Sequence, residues 1–103
     1  MNRIVACLII VSSIMASGAI SASEELAKSK NCLSCHGVDS RLVGPGFKEV
    51  AQKYSGQPDA AAKLAEKVIK GGGGVWGNMP MPPNSKVSPD EANKLVQWVL
   101  SLK

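Results

Sequence analysis

Cys32-Leu33-Ser34-Cys35-His36 is the segment of this sequence best equipped for chemistry. Two thiols three residues apart lie on one side of a helical turn, close enough to reach a single flat ligand, and an imidazole follows at once. C-x-x-C-H is the attachment pattern of a c-type haem. The thiols add across two porphyrin vinyl groups, and His36 rises to the iron as proximal ligand. Three other chemistries use such cysteines. A structural disulfide between Cys32 and Cys35 has no use for His36. A zinc site wants four ligands, usually in two pairs, yet His36 is the only histidine and Cys7 the only further cysteine. A thioredoxin-like redox pair belongs beside a βαβ pattern, which is absent here. One covalently bound haem c, with its iron, uses all three residues.

Iron in an electron carrier is held on both faces, and a His/Met pair raises its potential. Beyond residue 22 the methionines are Met79 and Met81, in Asn78-Met79-Pro80-Met81-Pro82-Pro83-Asn84. Prolines on both sides of Met81 fix φ and remove backbone donors, so the loop keeps one shape in both oxidation states. Met81 is the expected second ligand. Met79 is the rival and otherwise packs nearby; ordinary core packing is the competing use of either side chain.

The elements that must position these groups read as helices. Ser23 can cap a first helix, with Glu24 and Glu25 in its opening turn, running toward Cys32. Lys48 to Tyr54 is a second, ended by Gly56 and Pro58. Asp59 caps a third, in which Ala61, Leu64, Ala65 and Val68 keep the spacing of a buried face and Gly71 is the stop. Ser88-Pro89-Asp90-Glu91 opens the fourth with an N-cap, a proline at the first helical position and a capping-box Glu. Ala92, Leu95, Val96, Val99 and Leu100 form its apolar stripe. Between the last two, Gly71 to Val87 has no strand alternation, and a loop of that length in so small a domain is commonly functional.

The first 22 residues read as a cleavable export signal: a basic start at Arg3, an apolar run from Ile4 to Ile14 broken by Ser12 and Ser13, and a small-residue exit ending at Ala22. Cys7 leaves with it. An uncleaved anchor is the alternative, but the apolar run is short for a span of ~20 residues. Residues 23–103 then form one domain, of a size at which an apolar core alone is marginal and some staple is usual. Phe47, Tyr54, Trp76 and Trp98 are all its aromatic residues. The net charge of +4 comes from scattered lysines, without the basic run interleaved with aromatics that nucleic-acid binding would need. Such a surface can steer docking to an acidic partner.

Cys32–His36, Val43-Gly44-Pro45, Gly74-Val75-Trp76-Gly77, Pro80-Met81-Pro82-Pro83-Asn84 and Trp98-Val99-Leu100 occur in one order across the chain from about Glu24 onward. In these the sequence resembles the bacterial cytochrome c-551 (c8) branch of class I c-type cytochromes. The resemblance implies an all-α fold, the small class I cytochrome c fold, with four to five helices around one covalently bound haem. It implies a periplasmic monomer that shuttles electrons from an upstream cytochrome or quinol-oxidising complex to a terminal reductase or oxidase, nitrite reductase among them. Carried over by residue, Cys32 and Cys35 hold the haem, and His36 and Met81 ligate iron. Pro45 offers its carbonyl to the outer nitrogen of His36, Asn84 donates a hydrogen bond near the Met81 sulfur, and Trp76 donates its indole N–H to a propionate. Two positions depart. Met79 stands where relatives commonly carry an aliphatic residue, and Lys67 where an Arg or His often neighbours a propionate. Lysine lacks the planar bidentate fork, and plain solvent exposure is its other reading.

A six-coordinate electron carrier is thus the expected function, without catalysis and without stable membrane insertion. Its docking patch around the haem edge would draw on Val38, Val43, Val75 and Met79, each of which has core burial as its alternative. An open-iron enzyme or gas sensor would need a second acid–base group, which no further histidine supplies. A haem subunit fixed in a larger reductase is the third reading, without a docking extension after Leu102 in its favour.

Overall fold

The computed structural model describes residues 22–103. The expected export segment, Cys7 included, lies outside the described residues except for Ala22. Four α-helices follow in order: α1 (Ala22–Ser29), α2 (Phe47–Lys53), α3 (Ala60–Lys70) and α4 (Pro89–Ser101), with one 3₁₀ turn at Cys32–Ser34. Among the described residues the only β pairing is in two isolated bridges, His36 with Arg41 and Gly72 with Met81. The class is all-α.

Helix α4 is the hub, packing against α1, α2 and α3. Its start is written in local side chains. Ser88 Oγ accepts the Glu91 backbone N–H at 3.2 Å, and Glu91 Oε1 accepts the Ser88 N–H at 3.0 Å, so two of the free donors at the helix end are satisfied. Ala92, Leu95, Val96 and Val99 of its stripe are buried, and Leu100 is half-buried.

The other helices differ from expectation at their ends. Helix α1 begins at Ala22, so Ser23 lies inside it. It also stops short of Cys32, because Asn31 takes a left-handed φ of 63°, and Asn is among the few residues that accept this conformation. Helix α2 starts one residue early, at Phe47, with Gly46 as N-cap; Glu49 Oε2 accepts the Gly46 N–H at 2.9 Å. Asp59 stands at the N-cap of α3 but makes no capping hydrogen bond; its carboxylate pairs with Lys63 at 2.7 Å. Gly71 ends α3 at φ 74°, and a Cβ there would come within 2.6 Å of the Met81 carbonyl oxygen. Only glycine meets both demands.

Two small apolar clusters hold the helices together. One joins Ala27, Ala65, Val87, Ala92, Leu95 and Val96; the other joins Phe47, Val50 and Val99. Cys32, Leu33, Leu64 and Trp98 border both clusters yet stay only partly buried. No large side chain is fully buried among the described residues. The space between the clusters is therefore a cleft bordered by side chains.

The α4 cap makes a test of this local reading. The Glu91 carboxyl lies below its ordinary value of 4.5, chiefly because it accepts the Ser88 backbone N–H, with the Lys30 ammonium as a lesser cause. A carboxyl lowered on folding contributes stability above its unfolded pKa and loses it as pH falls through the folded one. Urea titrations across the acid range should therefore show a shallower loss of stability in Glu91→Gln than in the parent. Ser88→Ala should cost about 1 kcal/mol at neutral pH with an unchanged denaturant slope. An identical acid limb in Glu91→Gln would show that this cap has no part in it.

Candidate functional site

The cleft encloses about 1180 Å³ of space, including its open mouth, and its wall is mostly apolar. A largely apolar wall with a few convergent polar groups is the usual make-up of a small-molecule or cofactor site. The wall brings together Cys32, Cys35, His36, Trp76 and Met81, contributed by the 3₁₀ turn and by the loops before α2 and α4.

Cys32 and Cys35 are free thiols. The turn that carries them is closed by the Cys35 N–H and the His36 N–H, which both donate to the Cys32 carbonyl, at 3.2 and 3.0 Å. Burial pushes the Cys32 thiol above its ordinary value, and the neighbouring Cys35 adds to the rise against an opposing backbone hydrogen bond. A reactive redox cysteine needs the opposite shift, toward thiolate. Among the described residues no group of three or more His, Cys, Asp or Glu side chains gathers as a metal site, so a four-ligand zinc site has no donor set there.

The His36 ring is held from three sides. Nδ1 lies 2.7 Å from the Pro45 carbonyl oxygen. A carbonyl only accepts, so Nδ1 carries a proton, and Nε2 is the nitrogen whose lone pair the neutral ring can offer to an electrophile. Phe47 stacks on the ring at 5.0 Å and 21°, and Trp98 meets Phe47 edge-on at 5.5 Å. Gly44 closes the third side: a Cβ there would sit 2.6 Å from His36 Cε1 and 2.9 Å from Nδ1. In the sequence Gly44 stands out only as part of a motif and Phe47 only as one of four aromatic residues, with no sign of these tasks. The Gly44-Pro45 pair close to a histidine was the available signal.

Met81 is placed by backbone. Its N–H donates to the Gly72 carbonyl at 2.7 Å, and the Gly72 N–H donates back at 3.1 Å. Three residues on, the Asn84 N–H donates to the Val68 carbonyl at 3.0 Å, tying the loop to α3. Met81 is half-buried on the cleft wall, whereas Met79, also on that wall, is 69% exposed.

Trp76 lies on the wall, half-buried, with Arg41 and Lys53 over its ring at 5.9 and 5.5 Å. Lys67 also borders the cleft, and its aliphatic stem lies against Gly72. Asn84 does not line the cleft. One hydrogen of its amide goes to the Lys30 carbonyl at 3.1 Å, and its Oδ1 accepts the Lys86 N–H at 3.2 Å, which leaves a single N–H for the sulfur contact expected of it. Of the four residues expected at a docking patch, Val43, Val75 and Met79 are exposed, while Val38 packs beside the Phe47 cluster.

Comparison with known proteins gives the family. The cytochrome c family model matches residues 20–103. Cytochrome c-552 of Hydrogenobacter thermophilus is 51% identical over 80% of this chain and 83% of its own length. Cytochrome c-551 of Pseudomonas aeruginosa is 47% identical over 93% of this chain and 92% of its own. The crystal structure of Nitrosomonas europaea cytochrome c552 superposes with a TM-score of 0.75 at 49% identity, covering 77% of this chain and 98% of that one. The chain belongs to the cytochrome c family, in its class I branch of c-551 and c-552 proteins, whose cofactor is one covalently attached haem c.

Proposed function

We propose that this protein is a periplasmic one-electron carrier whose iron is held by His36 and Met81. One observation carries the reading: two free cysteines, an imidazole with its Nε2 lone pair available and a methionine held in a proline-flanked loop border a single apolar cleft. The haem, when bound, supplies reversible one-electron exchange at iron. The chain's own residues do the rest. Cys32 and Cys35 tether the ring, so a small core gains a large apolar body without a dissociation equilibrium. Pro45 orients the imidazole and raises its basicity as a ligand. The Gly72–Met81 pairing and the flanking prolines keep the thioether still, so little has to reorganise when charge changes.

The sole histidine is engaged by Pro45 through Nδ1, which supports a carrier over an enzyme that needs a distal acid–base group. Exposed Leu42, Val43, Val75 and Met79 offer an apolar contact near the cleft for brief encounters with a donor and a terminal reductase or oxidase. Such redox encounters bury less than ~1,200 Å². Export rests on residues 1–22 acting as a cleaved signal; among the described residues no helix is long and apolar enough to cross a membrane.

Met81→Ala should keep the haem attached, abolish the weak far-red sulfur–iron band, lower the potential and admit small ligands, while Met79→Ala leaves the spectrum native. The reverse pattern would move the ligand to Met79. Gly44→Ala tests the other face. A methyl group within 2.6 Å of the His36 ring must displace imidazole or loop, so thermal stability should fall by about 1–3 kcal/mol with a perturbed low-spin spectrum. Unchanged spectrum and stability would mean that the clamp on His36 yields freely.

A further inference from the structure

Among the helix pairs, α2 packs on α4 and has no packing contact with α3. It meets the Gly71–Val87 loop across Trp76, which packs beside the Phe47–Val50–Val99 cluster. Three charged side chains converge there. The Arg41 guanidinium lies 5.9 Å from the indole centroid, and its Nη1 is 3.4 Å from the Trp76 carbonyl oxygen. The Lys53 ammonium, on the last residue of α2, lies 5.5 Å from the same centroid. Glu49 Oε2, fixed by the Gly46 N–H, is 3.8 Å from Arg41 Nε, so a carboxylate aims the guanidinium and offsets part of the repulsion between the cations. Arg41 is also the residue whose backbone bridges to His36. The cluster thus links the segment that carries the histidine, helix α2 and the loop that carries Met81.

We propose that Arg41 and Lys53, gripping the Trp76 indole, strap the Gly71–Val87 loop to the His36 side of the cleft and so set how often the Met81 side opens to an external ligand. Both act as positioning residues, through Trp76. The proposal rests on Met81 being an iron ligand. Two exposed cation–π contacts together amount to about a tenfold equilibrium factor, ~1.4 kcal/mol. An external ligand that binds only the open form has its apparent rate scaled by the open fraction, so that factor should appear directly in a binding rate. Lysine in place of arginine keeps a charge over the ring but loses the guanidinium plane that stacks on it, so Arg41→Lys should restore part of the effect.

The test is the rate of cyanide binding to the oxidised holoprotein, measured beside its urea midpoint. The double variant R41A/K53Q should bind cyanide about tenfold faster than the parent, with R41K and K53Q in between. The fading of the far-red band on heating should also move to lower temperature, further than global unfolding does. Lys63→Ala, which removes the surface pair with Asp59 on α3, should leave the rate unchanged. Rates equal to the parent in R41A/K53Q, or rates that rise only in step with lost global stability, would overturn the strap. The underlying ligand assignment fails separately: in that case the parent lacks the far-red band, or Met81→Ala leaves cyanide binding at the parent rate. A parent with the band and a fast Met81→Ala, joined to an unresponsive R41A/K53Q, would refute the strap alone.

Discussion

An apolar cleft that side chains border without filling is the constraint on which the rest of this structure depends. The helices meet through alanines, valines, Leu95 and a single phenylalanine, and larger side chains beside them, Leu64 and Trp98 among them, stay only partly buried. In a domain of this size, helix packing alone supplies little net stability. A macrocycle tethered at Cys32 and Cys35 would join the two clusters into one core, since Leu33, Leu64 and Trp98 already touch both. That makes the cofactor a structural component as much as a functional one. It also accounts for the economy of the fold, in which α4 serves as backing for every other helix.

Around the cleft, position is enforced mainly by backbone. Glycine at 44 and 71 lets one chain approach another more closely than any side chain would allow, and in both places the neighbour belongs to a residue proposed as a ligand. Carbonyls do the holding: Pro45 for the His36 ring, Gly72 for the Met81 amide, Val68 for the Asn84 amide. A backbone carbonyl does not titrate, so this set of acceptors does not itself change with pH. It also changes little when one charge arrives or leaves. Both properties suit a carrier whose rate is limited by how far its atoms must move.

Much of this was legible in the sequence, and the parts that were not share a physical reason. The start of α4 was readable because Ser88, Pro89 and Glu91 satisfy each other within one turn. The end of α3 was readable because Gly71 is the ordinary residue for a positive φ. The Cys32–His36 segment declared its chemistry by type and spacing. Misreadings arose where a partner outside the motif decides. Asp59 has the right type for a cap, but the Lys63 ammonium one turn ahead takes its carboxylate. Asn84 keeps one amide N–H for the expected contact with Met81, and the sequence does not show that the other goes to Lys30, far earlier in the chain. The end of α1 ahead of Asn31, whose left-handed backbone turns the chain toward Cys32, is not revealed by local propensity. The role of Gly44 follows from the ring packed against it, and spacing alone cannot show that.

The central claim is that this chain carries a covalent haem ligated by histidine and methionine. It is tested most directly by the optical spectrum of the purified holoprotein, oxidised and reduced, together with a haem stain after denaturation. The expected result is stain that survives denaturation, low-spin bands in both states and the weak far-red sulfur–iron band in the oxidised form. High-spin bands that shift on adding small ligands would contradict the carrier and favour an open-iron enzyme or sensor. Loss of the stain on denaturation would contradict covalent attachment itself.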